Sequence, residues 1–321
     1  MNFSSMEYFT VLAQERNFTR AAERLHMTQQ SLSAHIAGME KELGSRLLVR
    51  RVPLELTYAG EVMLRYATDF QKFHSDMLRE FCDISQKQKG ILRVGAASTR
   101  GQMILPKTIA LFQGSFPNIR VELTEASNGE LHQKLIRGTI DLAIASFPEA
   151  LPGVSLTEFY CEENVLVIEK GLFARCIAFD AEECERRFRA EDYDVLRNCP
   201  FVLGENEDID GRIGRDVLKR AGIVDPIVTA TSHNVGMLLR LSLCGVGACV
   251  CPQSIVQNTL TPKQADSVWM LRLGEGTVNR IQFGCQAQSY QWSVIERFIE
   301  CAKAVVRRFE PFSVKLLQPE L

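Results

Sequence analysis

No apolar run in the 321 residues approaches the ~18 consecutive positions that a membrane-spanning helix requires, so no membrane protein is expected. The opening segment, Met1 to Phe9, carries Glu7 and lacks a basic-then-apolar pattern, so no secretory leader is expected either. Ten cysteines are present, yet none stand in a Cys-x-x-Cys pair or in the Cys/His spacing of a zinc site. Without a leader they imply free thiols in a reducing cytoplasm, not a disulfide framework. There is no His-Glu-x-x-His, no phosphate-binding loop and no Gly-x-Ser-x-Gly. The chain therefore offers neither a metal site nor an activated nucleophile, no cofactor is expected, and the reading is a protein that is not an enzyme. Gly245-Val246-Gly247 follows a helical pattern instead of a strand and reads as a tight turn. A large charge of one sign is lacking too: 37 basic and 39 acidic side chains leave −2. That excludes a polycation coating nucleic acid by charge alone, but not a local DNA-binding face. Residues 1–60 hold seven Lys/Arg against six Asp/Glu, the right sign for a DNA module and too small to argue from. Internal repeats and low-complexity stretches are missing as well.

What is present is an ordinary globular mixture, 46% apolar and 24% charged, in a chain long enough for one to three domains. Three parts are expected. Residues 1–58 read as three helices and a two-stranded wing, a winged helix-turn-helix. Met6, Phe9, Val11, Leu12 and Ala13 form one apolar face. Asn17 and Thr19 are helix-start residues before Ala21, Ala22 and Leu25. Thr28 caps a helix from Gln29 to Leu43, with Leu32, Ile36, Met39 and Leu43 on one stripe, and Gly44 is its expected stop. Leu47 to Arg51 and Leu54 to Leu56 read as short strands. Residues 59–89 read as one long linker helix capped by Thr57. Ala59, Met63, Tyr66, Phe70, Phe73, Met77, Phe81 and Ile84 follow a heptad seam with one slip. Such a seam fits a dimerisation helix or an amphipathic helix packed on its own domain.

Residues 90–321 alternate strand-like and helix-like runs twice, as a doubly wound α/β protein does. Two lobes are expected: lobe I from 90–163 and 269–310, lobe II from 164–268. A last helix shows Ile295, Phe298, Ile299, Ala302, Val305, Val306 and Phe309 on one stripe.

Two constellations carry chemistry. In the first, Ala21 and Ala22 let two helices cross closely, as a helix-turn-helix requires. The next helix opens with Gln29, Gln30, Ser31 and Ser33, short hydrogen-bonding side chains at the end that would enter a major groove. Helix starts at Thr19 and Thr28 offer backbone N–H groups to phosphates, beside the cap Asn17. Arg20, Arg46, Arg50 and Arg51 supply cations, the last two at the wing. The competing reading is a small helical domain that binds protein.

Phe18-Thr19-Arg20-Ala21-Ala22-Glu23-Arg24-Leu25, then Thr28-Gln29, Ser33, Ile36, Glu40, Leu43-Gly44, Leu47, Arg50 and Leu56-Thr57-Tyr58-Ala59-Gly60, resemble the LysR-type transcriptional regulators. The resemblance implies a bacterial protein whose winged domain binds inverted-repeat promoter DNA and whose long helix dimerises. It also implies a two-lobed, periplasmic-binding-protein-like domain that senses a small-molecule effector. Many members assemble as a dimer of dimers, and RNA polymerase is an implied partner. Asn17, Gln30, Met39 and Leu48 depart from the family's usual residues, and Gln30 adds a donor–acceptor pair at the DNA-facing end.

The second constellation is the expected effector cleft. Ser98, Thr99 and Arg100 follow the first strand of the α/β part, where hydroxyls and N–H groups favour an anion and Arg100 adds a clamp. Ser127 and Asn128, then Ser146 and Phe147, follow the next two strands, at the edge where open α/β sheets hold ligands. Leu203, Gly204, His233 and Asn234 hold comparable places in lobe II. Against this stands helix capping by Ser, Asn and Thr alone. The charged run from Glu182 to Arg189 reads as a solvated face, a lid or a subunit contact. The cysteines read as buried inert thiols, with Cys249 and Cys251 on one side of a strand, and a redox-sensing pair is the alternative. An α/β enzyme or solute-binding module fused to a helical interaction domain is the alternative to a regulator.

Overall fold

The computed structural model describes residues 3–49, 51, 53–85, 89–148, 151–205, 209–274, 277–287 and 290–307. Arg50 and Phe309, singled out above, lie outside the described residues. The chain forms two compact units, Met1–Lys87 and Gln88–Leu321.

In the first unit, α1 (Phe3–Glu15), α2 (Phe18–Arg24) and α3 (Gln29–Leu43) precede β1 (Leu48–Val49), β2 (Glu55–Leu56) and α4 (Tyr58–Ile84). Phe9, Leu12, Ala21, Ala22, Leu32, Ile36 and Met39 make its buried centre, as their helical spacing predicts. Gly44 closes α3 in the left-handed conformation (φ 62°) that spares a glycine its Cβ clash. The β1–β2 ribbon is antiparallel, with Leu48 opposite Leu56. Thr57 caps α4, accepting from the Gly60 N–H at 3.0 Å, while its hydroxyl donates to the Arg46 carbonyl at 2.7 Å. Gly60 is there because a Cβ would stand 2.1 Å from the Leu47 carbonyl oxygen.

The heptad seam of α4 divides between its two readings. Met63, with Ala67 beside the seam, is buried in this unit's own core, and Ala59 packs against it. From Tyr66 onward the seam is exposed: Phe70, Phe73, Met77, Phe81 and Ile84 face outward, Phe73 at 72%.

The second unit begins with β3 (Gly90–Ala96), α5 (Ser98–Ser115), β4 (Ile119–Glu125), α6 (Asn128–Ile136) and β5 (Leu142–Ala145). β3 lies parallel to both β4 and β5. Then comes β6 (Val154–Glu169), a 16-residue strand absent from the sequence reading. Glu158, Glu162, Glu163 and Asn164 interrupt its apolar pattern and hide it. Its first half pairs with β11 (Val278–Gln286), from Val154 opposite Gln286 to Glu163 opposite Val278. Its second half pairs with β10 (Val268–Arg272) on one side and β9 (Cys249–Pro252) on the other. One strand thus belongs to both lobes. The crossing is stitched by buried Asn164, whose Nδ2 donates to the Thr277 carbonyl at 2.8 Å.

The far lobe adds α7 (Lys170–Cys176), α8 (Ala181–Arg189), β7 (Phe201–Leu203), α9 (Ile209–Arg220), β8 (Val228–Thr231), α10 (Val235–Leu243), α11 (Gln253–Thr259) and α12 (Pro262–Ala265). The charged run is α8, and it is more than a solvated face. Asp180 caps it, and its inner side buries Cys184 and Phe188 completely. Gly245 turns at φ 71°, in keeping with the tight turn expected there. The last helix, α13 (Ser293–Arg307), lays its apolar stripe on the near lobe, where Phe298 meets Phe112 of α5 edge to face at 5.3 Å.

Candidate functional site

In the first unit, Asn17 caps α2, its side-chain oxygen accepting from the Thr19 and Arg20 N–H groups at 2.9 and 3.1 Å. This corrects the expectation at Thr19. It is the second residue inside the helix, not its start, and its N–H is already spent on the cap. Thr28 does start α3, accepting from the Ser31 N–H at 3.2 Å. Gln29 and Gln30 are exposed at the tip, while Ser31 and Ser33 are half-buried. Ala34, Ala37 and Gly38 continue the exposed side of α3 from Gln30 at helical spacing. The sequence reading missed these three because small residues carry no polar signal. Their size is the signal: a flat surface lets a helix sit deep in a groove. Arg20 and Arg51 are exposed but already ion-paired, to Glu15 and Glu55 respectively. Either can reach a phosphate by giving up a partner that exposure already makes weak.

In the second unit, a cavity of about 580 Å³ opens between the lobes. Ser98, Thr99, Arg100, Ser127, Asn128, Gly204, His233 and Asn234 all line it. Ser146, Phe147 and Leu203 do not. Ser146 is tied by its backbone to Asn128 and His132. The Phe147 ring stacks on His132 at 4.7 Å, and Leu203 is buried in the far lobe's core. Glu125, Glu130, Ser232 and Ile255 line the cavity as well and went unnoticed in the sequence.

Three helices, α5, α6 and α10, begin at this cavity. Ser127 and Glu130 form a capping box at α6, and this bonding to Ser127 holds the Glu130 carboxyl below its usual range. Asn234 caps α10, accepting from the Met237 N–H at 3.1 Å. At α5 the cap position is Ala97, which makes no side-chain cap hydrogen bond. The helix begins at Ser98, so Ser98, Thr99 and Arg100 form its first turn and not a loop before it. Thr99 reaches the other lobe: its Oγ1 donates to Asn234 Oδ1 at 3.4 Å and accepts from the Gly236 N–H at 3.3 Å.

Arg100 departs most from expectation. It is 5% exposed and ion-paired with Glu162 of β6, itself 2% exposed. Ser254 of α11 donates to the other Glu162 oxygen at 3.0 Å. Beside the pair lies Tyr160, whose phenol burial pushes far above its usual range. The guanidinium therefore forms part of the cavity floor, and the Glu162 carboxylate of the crossing strand is held from both lobes, by Arg100 and by Ser254. His233 Nε2 stands 3.0 Å from Glu205 Oε1 on the opposite rim.

No disulfide joins the ten cysteines, and the expectation of buried thiols holds for Cys184, Cys199, Cys249, Cys251 and Cys285 but not for Cys244, which is exposed, nor for the half-buried Cys82, Cys161, Cys176 and Cys301. Burial pushes the thiols of Cys199 and Cys285 up to about 12 and that of Cys184 to about 11, so thiolate is scarce at neutral pH. Cys249 and Cys251 are buried with sulfurs 4.0 Å apart. Among the described residues, no helix is long and apolar enough to cross a membrane.

Comparison with known proteins gives both units a counterpart. Residues 3–61 match the family described as bacterial regulatory helix-turn-helix protein, lysR family. Residues 85–307 match the LysR substrate binding domain. The chain is 24% identical over 299 residues to the HTH-type transcriptional regulator IlvY of Escherichia coli (strain K12), spanning 93% of this chain and 97% of that protein. It is 29% identical over 263 residues to the HTH-type transcriptional regulator YcgK of Bacillus subtilis (strain 168), spanning 79% and 81%. Among solved structures, full-length OxyR C199D from Pseudomonas aeruginosa superposes with a TM-score of 0.68 at 21% identity, covering 99% of both chains. Full-length CbnR in complex with its target DNA superposes at 0.62 with 23% identity, covering 95% of this chain and all of that one.

Proposed function

Because this chain belongs to the LysR family of bacterial transcriptional regulators, a regulatory and non-catalytic family, we propose that it reads promoter DNA through the tip of α3 and changes that binding when a small organic anion enters the interlobe cleft. The division at residues 58/59 and 89/90 into winged domain, linker helix and effector domain is part of this reading. Gln29, Gln30 and Ser33 are the base readers, with Ser31 and Thr28 at the helix start. Asn17, Arg20, Arg50 and Arg51, with the side-chain hydroxyl of Thr19, hold the backbone of the duplex.

Self-association and DNA binding through the N-terminal domain and long helix are typical of the family. Here the exposed seam from Tyr66 to Ile84 is the surface that a second copy would cover, and two such dimers would make a tetramer. The working place is the cytoplasm and the downstream partner is RNA polymerase.

The observation that carries the effector reading is the start of α5. Its cap position, Ala97, provides no acceptor, and the cavity lies against it. Backbone N–H groups at an uncapped helix start favour a carboxylate. Ser98, Thr99, Ser127, Asn128, His233 and Asn234 would fix the rest of the molecule, with Glu125 and Glu130 disfavouring a second negative charge on it. Arg100 supports the floor instead of clamping the ligand. Binding closes the lobes and alters how the paired winged domains engage DNA, which changes polymerase recruitment.

Fluorescence anisotropy with duplexes from upstream of the protein's own gene tests the reading. A preference for an inverted repeat that survives rising salt is expected. Sequence-blind binding that decays uniformly with salt would sink it.

A further inference from the structure

Beyond the Thr99–Asn234 bridge lies a second cavity, of about 490 Å³, that shares Thr99, Asn234 and Ile255 with the effector cleft. It runs between α5 of the near lobe and α10 and α11 of the far lobe. Gln102, Met103 and Lys107 face it from α5, Met237 and Arg240 from α10, and Asn258 from α11.

The two neighbouring cavities differ in charge. Glu125 and Glu130 line the cleft, whereas among the described residues no Asp or Glu lines the second groove. Its two cations, Lys107 and Arg240, come from opposite lobes and line the same groove, so an anion held there is attracted by both. Arg240 can offer a planar pair of donors and Lys107 a compact charge. Gln102 and Asn258 add neutral hydrogen bonds, and Met103 and Met237 add pliable apolar cover.

We propose that this groove is a second ligand site, specific for a small multivalent oxyanion such as a phosphate ester or a di- or tricarboxylate. The cleft, with its two carboxylates, takes the singly charged effector. The groove takes the more highly charged molecule. Because it touches both lobes, its occupant favours the closed arrangement. Linkage then requires it to tighten effector binding by the same factor by which effector tightens it.

The probe is inorganic phosphate, titrated into the full-length protein by calorimetry at constant ionic strength and pH, with thermal unfolding alongside. The wild-type protein should give a saturable heat and a rise in Tm. Lys107→Gln and Arg240→Gln should each weaken phosphate roughly tenfold, as loss of one charge-assisted hydrogen bond does. Ser127→Ala, in the cleft, should leave phosphate binding as it is. Tm values without phosphate confirm that each variant folds. A heat that does not saturate, or one that both charge variants retain, overturns the proposal. The anisotropy measurement on DNA uses no phosphate, so failure here and failure of the regulator reading show separately.

Discussion

The tip of α3 and the floor of the cleft use polar side chains in opposite ways. Gln29 and Gln30 are exposed and fit no internal role, whereas Arg100 and Glu162 are buried and answer each other. In the function proposed above, side chains of the first kind serve recognition and contribute little to folding. Those of the second kind hold the molecule together even where they line a binding cavity. The lesson concerns arginine in particular: a guanidinium held by a carboxylate out of water, as Arg100 is by Glu162, is committed to the fold, whereas an exposed pair such as Arg20 with Glu15 is weak enough to yield to a ligand.

The largest expected effect tests that distinction. Arg100→Ala leaves the Glu162 carboxylate buried without its partner and should destabilise the effector-binding unit by ~3–5 kcal/mol. Replacing both residues, as Arg100→Met with Glu162→Leu, should restore much of the loss, since an apolar pair needs no compensation. Urea unfolding of the three proteins measures this. If Arg100→Ala unfolds at the wild-type midpoint and loses only its effector response, Arg100 is a ligand clamp after all.

A smaller loss is expected in the other unit at Gly60. Gly60→Ala forces a methyl group onto the Leu47 carbonyl and should lower stability by ~1–3 kcal/mol. Thermal unfolding of the variant reads it, and an unchanged midpoint would mean that the wing shifts aside freely. Gln29→Ala and Gln30→Ala stand on the other side of the comparison. Each should reduce discrimination between operator and scrambled duplex by ~1–3 kcal/mol per lost base contact without moving the unfolding midpoint. A variant that loses stability instead would place that glutamine among the structural side chains.

Much of the DNA-reading unit was legible in sequence because local rules determine it. Thr28, Gly44 and Thr57 announce helix ends by chemistry that acts over three or four residues. The exposed Ala34–Gly38 surface was not legible, since small residues give no polar signal. The cleft was legible wherever a helix starts at it, which is why Ser98, Ser127 and Asn234 were found. What stayed hidden depends on contacts distant in sequence. Glu162 lies 62 positions from Arg100. It also sits in a strand whose acidic residues look like a loop, although Glu162 itself is buried. Leu203 and Phe147 were misplaced for the converse reason: they adjoin strand ends, but their side chains turn into the protein.

The smallest effect sharpens the comparison within the cleft's own support. His132 rests on the Ser146 carbonyl and against Phe147. Partial burial lowers its pKa from the ordinary 6.5, and the Ser146 contact opposes this only in part. The folded protein therefore favours the neutral ring. In the unfolded chain the ring takes up a proton as pH falls below about 6.5, before the folded form does. The stabilising contribution is thus present above that pH and is lost as pH falls through the lower, folded value. His132→Gln should flatten the stability profile between pH 7 and pH 5 by a small amount, because the ring is only partly buried. Urea midpoints of the two proteins across that range measure it. A variant whose profile keeps the wild-type slope would show that the proton is taken up elsewhere.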